Sequence, residues 1–189
     1  AYGLGKLIEQ KKIKYKEKSK IKNKVQIKTG SGCNTFGSLC IEGVTNYESP
    51  DWLKKDLQSL GLKPISAIVD ITNYVMFDLN RPMHAYDADK IDGNIIIRQS
   101  NNDESFDALD DKKYNIPVGA CLITDKNKIL GLGGIIGGKS SAINLDTKNI
   151  ILEAAAFDSV KIANVSKQLG IITDAKFRFE RGVDPNSIE

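Results

Sequence analysis

The chain has 189 residues, of which 41% are hydrophobic and 27% are charged, and this composition indicates one globular domain rather than a disordered chain. A single histidine and three cysteines without a Cys-x-x-Cys pair exclude a zinc ribbon and any metal site that needs two histidines. The apolar runs are too short to cross a bilayer and the start lacks a signal-peptide pattern, so we expect a cytoplasmic protein without membrane contact.

Charge is distributed unevenly along the chain, whose net charge is +3. Residues 6–28 contain ten lysines and two acidic residues, a balance of +8, which leaves −5 for the remainder. Lysine occupies every even position from Lys12 to Lys24, so an extended strand would place these side chains on one face. Such a face suits either a phosphate backbone or a solvated sheet edge, and the sequence leaves both open. We assign residues 1–32 to a lysine-rich lead and linker, the tail of a preceding domain, and residues 33–189 to one domain.

A strand and a helix are the first predicted elements of that domain. Residues 36–44 alternate apolar and polar side chains as a strand does. A helix is expected to begin at Ser49 as its N-cap, with Pro50 in the first turn, and to end at Gly61. Its predicted apolar face comprises Trp52, Leu53, Leu57 and Leu60.

A second helix is predicted from Asp70, its cap, to Leu79, and Arg81 and Pro82 stop it. Its predicted buried side comprises Ile71, Val75, Met76 and Leu79. A third helix is predicted over residues 159–169, with Asp158 as its cap and Gly170 at its end.

Between these helices the sequence predicts five short strands, at 94–99, 105–109, 120–125, 128–132 and 149–154. A hairpin turn of the Asp/Asn type connects the third of them to the fourth. Helices interspersed with runs of adjacent strands predict an α+β fold, in which mixed or antiparallel sheets pack as a sandwich with flanking helices.

Residues 133–140 match the phosphate-loop pattern G-x-x-x-x-G-K-[ST]. Phosphate binding by this loop requires a helix directly after it, whereas residues 140–149 are rich in residues that favour turns. We therefore rank a nucleotide-binding site as the least favoured of the alternative functions. The crowded glycines indicate close approach of the backbone either to a ligand or to a second sheet, and the sequence does not decide between them.

Three ordered stretches carry a family resemblance. They read VDITNYVM at 69–76 with RPMHAYD at 81–87, LGLGGIIGG at 130–138, and TDA at 173–175 with RFERGVDP at 178–185. In order and spacing they resemble the editing domain of bacterial phenylalanyl-tRNA synthetase β subunits, over about residues 33–185. The resemblance implies hydrolysis of tyrosine wrongly attached to tRNA(Phe), with the tRNA acceptor end and the synthetase α subunit as partners. It also implies that ATP and Mg²⁺ serve the parent enzyme, with no cofactor or metal in this part.

Glu153 is the candidate for recognition of the tyrosine hydroxyl. It interrupts the apolar strand at 150–156, where a charge is costly unless it has a partner or a use. The resemblance places the carboxylate that binds the phenol at this position, and an outward-facing glutamate on an edge strand is the alternative.

The other candidate residues follow from the resemblance. Catalytic positions around the substrate amine, the ester and the terminal adenosine are Thr72, Asn73 and His84. Substrate-binding positions, besides Glu153, are Gly133, Gly134, Thr173 and Ala175.

The two glycines are expected to form the pocket floor, with N–H groups facing the ester carbonyl. Gly133 replaces the usual alanine, which is expected to widen the pocket by about one methyl group. Gly134→Trp is then expected to block hydrolysis without disturbing the fold.

The expected chemistry is attack by a positioned water, because the sequence contains no activated serine and no Gly-x-Ser-x-Gly elbow. Arg178, Glu180 and Arg181 are interpreted as a salt-bridged exit segment, with tRNA contact as the second reading. A non-catalytic module that docks tRNA or the α subunit is the main alternative function, and a free-standing deacylase with the same sheet architecture is another.

Overall fold

A computed structural model describes residues 20, 21 and 23–188 of the chain. Its strands are Val25–Ile27 (β1), Cys33–Glu42 (β2), Met83–Asp87 (β3), Ile95–Gln99 (β4), Ser105–Asp107 (β5), Lys113–Asn115 (β6), Cys121–Thr124 (β7), Ile129–Leu132 (β8), Ile136–Gly137 (β9) and Asn149–Phe157 (β10). Its α-helices are Asp51–Ser59 (α1), Ala67–Leu79 (α2), Ser159–Leu169 (α3) and Asp174–Phe179 (α4). None of these helices has the length and apolar character needed to span a bilayer. The lysine series at 12–24 lies mostly outside the described residues.

The strands form one five-stranded, one three-stranded and one two-stranded sheet. The five-stranded sheet has the order β1-β4-β7-β8-β9, and only the β1–β4 pair in it is parallel. The three-stranded sheet has the order β2-β10-β3 and is antiparallel throughout. Mixed and antiparallel sheets with four helices confirm the predicted α+β class. β1 lies within the segment that the sequence assigns to the lead, and it forms the edge of the larger sheet.

β10 separates two hydrophobic clusters, because its side chains alternate between two faces. Ile151 and Ala155 belong to the larger cluster, together with Ile97 and Leu122 of the five-stranded sheet. The opposite face of β10 contributes Ile150 to a smaller cluster. Glu153 points to the same face of β10 as Ile151 and Ala155, so this carboxylate lies in the layer between the two sheets.

The N-caps predicted for the first two helices were wrong. α1 begins one residue after Pro50, and the Ser49 hydroxyl donates to Oδ2 of Asp70 at 2.5 Å instead of capping a helix. α2 begins at Ala67, and Oδ1 of Asp70 accepts a hydrogen bond from the backbone N of Ile65 at 2.9 Å. Asp70 is fully buried, so this carboxylate joins the starts of both helices rather than capping one of them.

The predicted buried faces of these helices were correct only in part. Leu53 and Leu57 of α1 are 1% exposed, whereas Trp52 is 56% exposed. On α2 the residues predicted as buried and found exposed are Ile71 and Leu79. The face that α2 buries contains Ile68, Thr72 and Met76. A polar side chain is tolerated there because the Thr72 hydroxyl donates to the Val69 carbonyl at 2.7 Å.

Other elements differ from the sequence prediction mainly at their ends. α3 has the predicted bounds, the predicted cap at Asp158 and a left-handed Gly170 at its end. The five predicted strands correspond to β4, β5, β7, β8 and β10, and the earlier strand corresponds to β2. β3, β6, β9 and α4 were not predicted, because each is only two to six residues long and gives little periodicity.

Candidate functional site

A cavity of about 580 Å³ lies between α2, β3, the β8–β9 hairpin and the start of α4. Its walls are mostly apolar, with contributions from Val69, Met76, Leu109, Leu132, Ile135 and Phe179. Its polar side chains are few and come from different elements: Thr72, Asn73, His84, Tyr86, Glu153, Thr173 and Asp174. A mostly apolar cavity with a few convergent polar groups is typical of a small-molecule site.

The structure brings seven of the eight candidate residues to this cavity. The seven are Thr72, Asn73, His84, Gly134, Glu153, Thr173 and Ala175. They come from three helical or loop segments and two strands that are far apart in the sequence. Gly133 is the exception, because it does not line the cavity.

Glu153 is 6% exposed and points into the inter-sheet layer, so it is not an outward-facing edge residue. Its Oε2 accepts a hydrogen bond from the Tyr86 hydroxyl. Burial raises the pKa of Glu153 to about 7, and the hydrogen bond from Tyr86 opposes that rise. A carboxylate of this kind is costly to bury and is poised to titrate near neutral pH.

His84 lies on β3 directly opposite Glu153 on β10. Its imidazole packs edge-on against the Tyr86 ring, with 4.5 Å between ring centroids. The Nε2 atom is buried and has no hydrogen-bond partner among the described residues. Burial lowers the pKa of His84 to about 4, so the ring is neutral at physiological pH. A neutral imidazole with a free ring nitrogen in a cavity is suited to hydrogen-bond a ligand or a water.

Both threonine hydroxyls of the cavity are anchored to the backbone. The Thr72 hydroxyl donates to the Val69 carbonyl, and the Thr173 hydroxyl donates to the Ile135 carbonyl, each at 2.7 Å. Thr173 also caps α4, since its Oγ1 accepts from the backbone N of Lys176 at 3.1 Å. These hydroxyls therefore retain lone pairs for a ligand but are not set up as nucleophiles.

The predicted role of Gly133 was wrong. A Cβ at this position would lie 2.9 Å from both the Cys121 sulfur and a Phe157 ring carbon, so an added methyl group would enter the core and not the cavity. The backbone N of Gly133 donates to the Cys121 carbonyl at 2.8 Å and is not free for an ester. The alanine-to-glycine difference at this position therefore does not widen the cavity.

Gly134 lines the cavity, but its missing side chain also points into the core. A Cβ there would meet Ile162 at 2.8 Å and Phe157 at 2.9 Å, and the residue has φ +71°. A tryptophan at this position is therefore incompatible with the packing and the backbone, and the expectation that Gly134→Trp preserves the fold was wrong. Gly137 is the glycine that borders His84, since a Cβ there would lie 2.6 Å from the His84 Cε1.

Tyr86 was not identified from the sequence, although it is the hydrogen-bond donor to Glu153. The available signal was its position two residues after His84, which places both rings on one face if the segment is a strand. That strand was not predicted because Met83–Asp87 is short and follows a helix-ending proline.

The glycine-rich segment does not form a phosphate loop. After β9 the chain enters a single 3₁₀ turn at Lys139–Ser141 and continues as irregular structure. The Lys139 ammonium pairs with the Asp111 carboxylate on the surface. In the part of the chain that is described, no three His, Cys, Asp or Glu side chains are grouped as metal ligands would be.

The last resembling stretch, residues 173–185, contains α4 and the turn after it, and its charged side chains form the expected ion pairs. Arg178 pairs with Asp174 at 3.1 Å, and Glu180 pairs with Arg181 at 2.6 Å. Glu180 also pairs with Lys176, one turn earlier on the helix, at 2.7 Å. The Arg178 guanidinium lies 4.3 Å from the ring centre of Phe77, which fixes α4 against α2 beside the cavity.

Comparison with known proteins supports the resemblance seen in the sequence. The phenylalanine–tRNA ligase beta subunit of Mesorhizobium japonicum is 42% identical over 185 residues, which cover 98% of this chain and 23% of that protein. The corresponding subunit of the Wolbachia of Brugia malayi is 46% identical over 164 residues, covering 87% and 21%. The chain thus spans less than a quarter of the length of these two relatives.

A solved structure shares the fold. An N-terminal fragment of the phenylalanyl-tRNA synthetase beta-subunit from Pyrococcus horikoshii aligns over 82% of this chain and 52% of that chain, with a TM-score of 0.50 and 14% identity. A family model described as the B3/4 domain matches residues 32–189. Because this match includes most of the chain, we conclude that the protein belongs to the B3/4 domain family, with phenylalanine–tRNA ligase beta subunits as its relatives.

Proposed function

We propose that this chain hydrolyses tyrosine that has been attached in error to tRNA(Phe), by attack of a positioned water on the aminoacyl ester. The observation that carries the proposal is the location of Glu153, a buried carboxylate that lines a mostly apolar cavity. Thr72, Asn73 and His84 line the same cavity and supply hydrogen-bonding groups to it.

Selection of tyrosine follows from the chemistry of this carboxylate. An apolar pocket rejects a ligand that merely adds a hydroxyl by only about 10², whereas a site built to bond that hydroxyl rejects the ligand without it by about 10⁴–10⁵. Phenylalanine in the cavity would leave a buried acceptor unpaired, at a cost of about 1–3 kcal/mol or more for a charged group. Glu153 therefore favours tyrosine, the amino acid that an aminoacylation site for phenylalanine excludes poorly.

Hydrolysis by water is supported by what surrounds the cavity. Among the described residues no serine, cysteine or lysine lines it, and both threonine hydroxyls donate to backbone carbonyls. We assign to His84, Thr72 and Asn73 the positioning of the water, the ester and the terminal ribose. The neutral His84 ring can accept or donate one hydrogen bond at its free nitrogen, as positioning of a water requires.

The proposal implies two partners, the acceptor end of tRNA(Phe) and the α subunit of a phenylalanine–tRNA ligase. The names of the relatives support this, because each is the beta subunit of that ligase. In this proposal ATP and Mg²⁺ serve aminoacylation in the parent enzyme, and no hydrolytic step in this domain requires them.

Release of amino acid from tRNA tests the proposal. The chain is incubated with labelled Tyr-tRNA(Phe) and Phe-tRNA(Phe), and kcat/KM is measured for each ester. We expect kcat/KM for the tyrosyl ester to exceed that for the phenylalanyl ester by at least about 10². Binding of tRNA without release of either amino acid would instead favour a non-catalytic docking module, and equal hydrolysis of both esters would contradict the role of Glu153.

A further inference from the structure

Tyr86 and Glu153 form a buried phenol–carboxylate pair that the function proposed above does not require. Tyr86 is 1% exposed and its hydroxyl donates to Oε2 of Glu153. On the antiparallel β3–β10 pair, Tyr86 lies opposite Ile151, two residues from Glu153, so the two side chains are diagonal neighbours on one face. Both side chains line the cavity.

The two oxygens of the Glu153 carboxylate have different surroundings. Tyr86 occupies Oε2, and no group among the described residues donates to Oε1. We propose that Tyr86 is a positioning residue for substrate selection: its hydroxyl holds Oε2 so that Oε1 of Glu153 is presented, already oriented, to the hydroxyl of an incoming phenol. The inference rests on the proposed function and adds a residue that orients the carboxylate responsible for its specificity.

Orientation before binding matters because a free glutamate side chain loses rotamer entropy when it binds a ligand. A carboxylate fixed by Tyr86 has lost that freedom in the folded protein, so less is lost when tyrosine enters. The ring of Tyr86 is itself held by the edge-on contact with His84. The carboxylate, its phenol donor and the imidazole therefore form one rigid wall of the cavity.

Tyr86 also helps to keep the carboxylate ionised. Four titratable groups face Glu153 from neighbouring strands, namely Tyr86 and His84 on β3, Cys33 on β2 and Cys121 on β7. Burial raises the pKa values of both thiols and of the Tyr86 phenol and lowers that of His84, so none of the four is charged at pH 7. Tyr86 is thus the group that opposes the rise in the pKa of Glu153. Without its hydroxyl, more of the carboxyl is protonated near neutral pH.

Tyr86→Phe tests this role because it removes one oxygen and keeps the ring. At pH 7 we expect the ratio of kcat/KM for Tyr-tRNA(Phe) to that for Phe-tRNA(Phe) to fall by about 10- to 100-fold, the range expected for one hydrogen bond to a charged group. We also expect the midpoint of the ratio's rise with pH to move upward. The matched control is Tyr114→Phe, which removes a phenol that donates to Asp110 at 2.7 Å on the two-stranded sheet, outside the cavity. That control should leave both quantities unchanged.

A second variant keeps the test decisive if Tyr86→Phe folds poorly. Incorporation of 3-fluorotyrosine at position 86 keeps the ring and the hydroxyl but makes the hydroxyl a stronger donor, so the midpoint should move to lower pH. An unchanged ratio and midpoint in both variants would overturn the role of Tyr86. If Glu153→Ala nevertheless abolishes selectivity, the proposed function stands without this refinement; if it does not, both fail.

Discussion

Glu153→Ala is expected to reduce selectivity for the tyrosyl over the phenylalanyl ester by at least about 100-fold. The variant removes the acceptor that a tyrosine hydroxyl needs in a cavity whose walls are otherwise mostly apolar. At the same time it removes the buried charge that opposes entry of phenylalanine, so hydrolysis of Phe-tRNA(Phe) should rise toward that of Tyr-tRNA(Phe). The measurement is kcat/KM for both esters, with far-UV circular dichroism to show that the fold is kept.

Glu104→Ala is the matched control for this prediction. Glu104 is a partly buried glutamate that pairs with Arg98 at 2.6 Å and does not line the cavity. Its removal should leave the ratio of the two rates unchanged. Persistence of the wild-type ratio in Glu153→Ala would mean that another group reads the hydroxyl.

The second large effect is expected on stability as a function of pH. The pKa of Glu153 is about 7 in the folded protein and 4.5 is its ordinary value, so between these pH values the folded state holds a proton that the unfolded state has lost. This group therefore lowers the free energy of unfolding as pH rises from 4.5 to 7, by on the order of 3 kcal/mol in total. His84 acts oppositely, because its folded pKa of about 4 lies below 6.5, and its contribution raises stability as pH increases between those values.

The contributions of Glu153 and His84 to the free energy of unfolding change in opposite directions between pH 4.5 and 6.5. A variant of Glu153 alone separates them. In Glu153→Gln the free energy of unfolding, measured with urea, should increase relative to wild type as pH rises from 4.5 to 7. Glu104→Gln is the control, because pairing with Arg98 lowers the pKa of Glu104 and moves its titration below this window. Curves for wild type and Glu153→Gln that run parallel from pH 4.5 to 7 would show that this carboxyl is not buried as described.

The parts of the fold that could be predicted from the sequence are those specified by local chemistry. Asp158 and Gly170 bound α3 through a side-chain cap and a left-handed residue, both of which depend on neighbours within one turn. Ser49 and Asp70 have the same residue types as caps, yet each serves the other across 21 positions. A cap and a tertiary hydrogen bond are indistinguishable in sequence, so those two helix starts could not be placed.

The candidate site, like the fold, could be predicted from the sequence only in part. Glu153 could be singled out because a charge inside an apolar strand needs a use, and its burial beside a cavity agrees with that reasoning. Gly133 and Gly134 could not be interpreted correctly, because the direction of a missing Cβ depends on backbone angles and on Phe157, which approaches from another strand. Tyr86 required the diagonal pairing of β3 with β10, which no single-sequence pattern contains.

Binding of two non-hydrolysable analogues, adenosine carrying tyrosine or phenylalanine in amide linkage at the 3′ position, tests the central claim most directly. Titration calorimetry at pH 8, where Glu153 is ionised, should give at least about 100-fold tighter binding of the tyrosyl analogue, and this difference should disappear in Glu153→Ala. Equal affinity of the wild-type chain for both analogues would contradict the claim that the Glu153 carboxylate recognises the phenol.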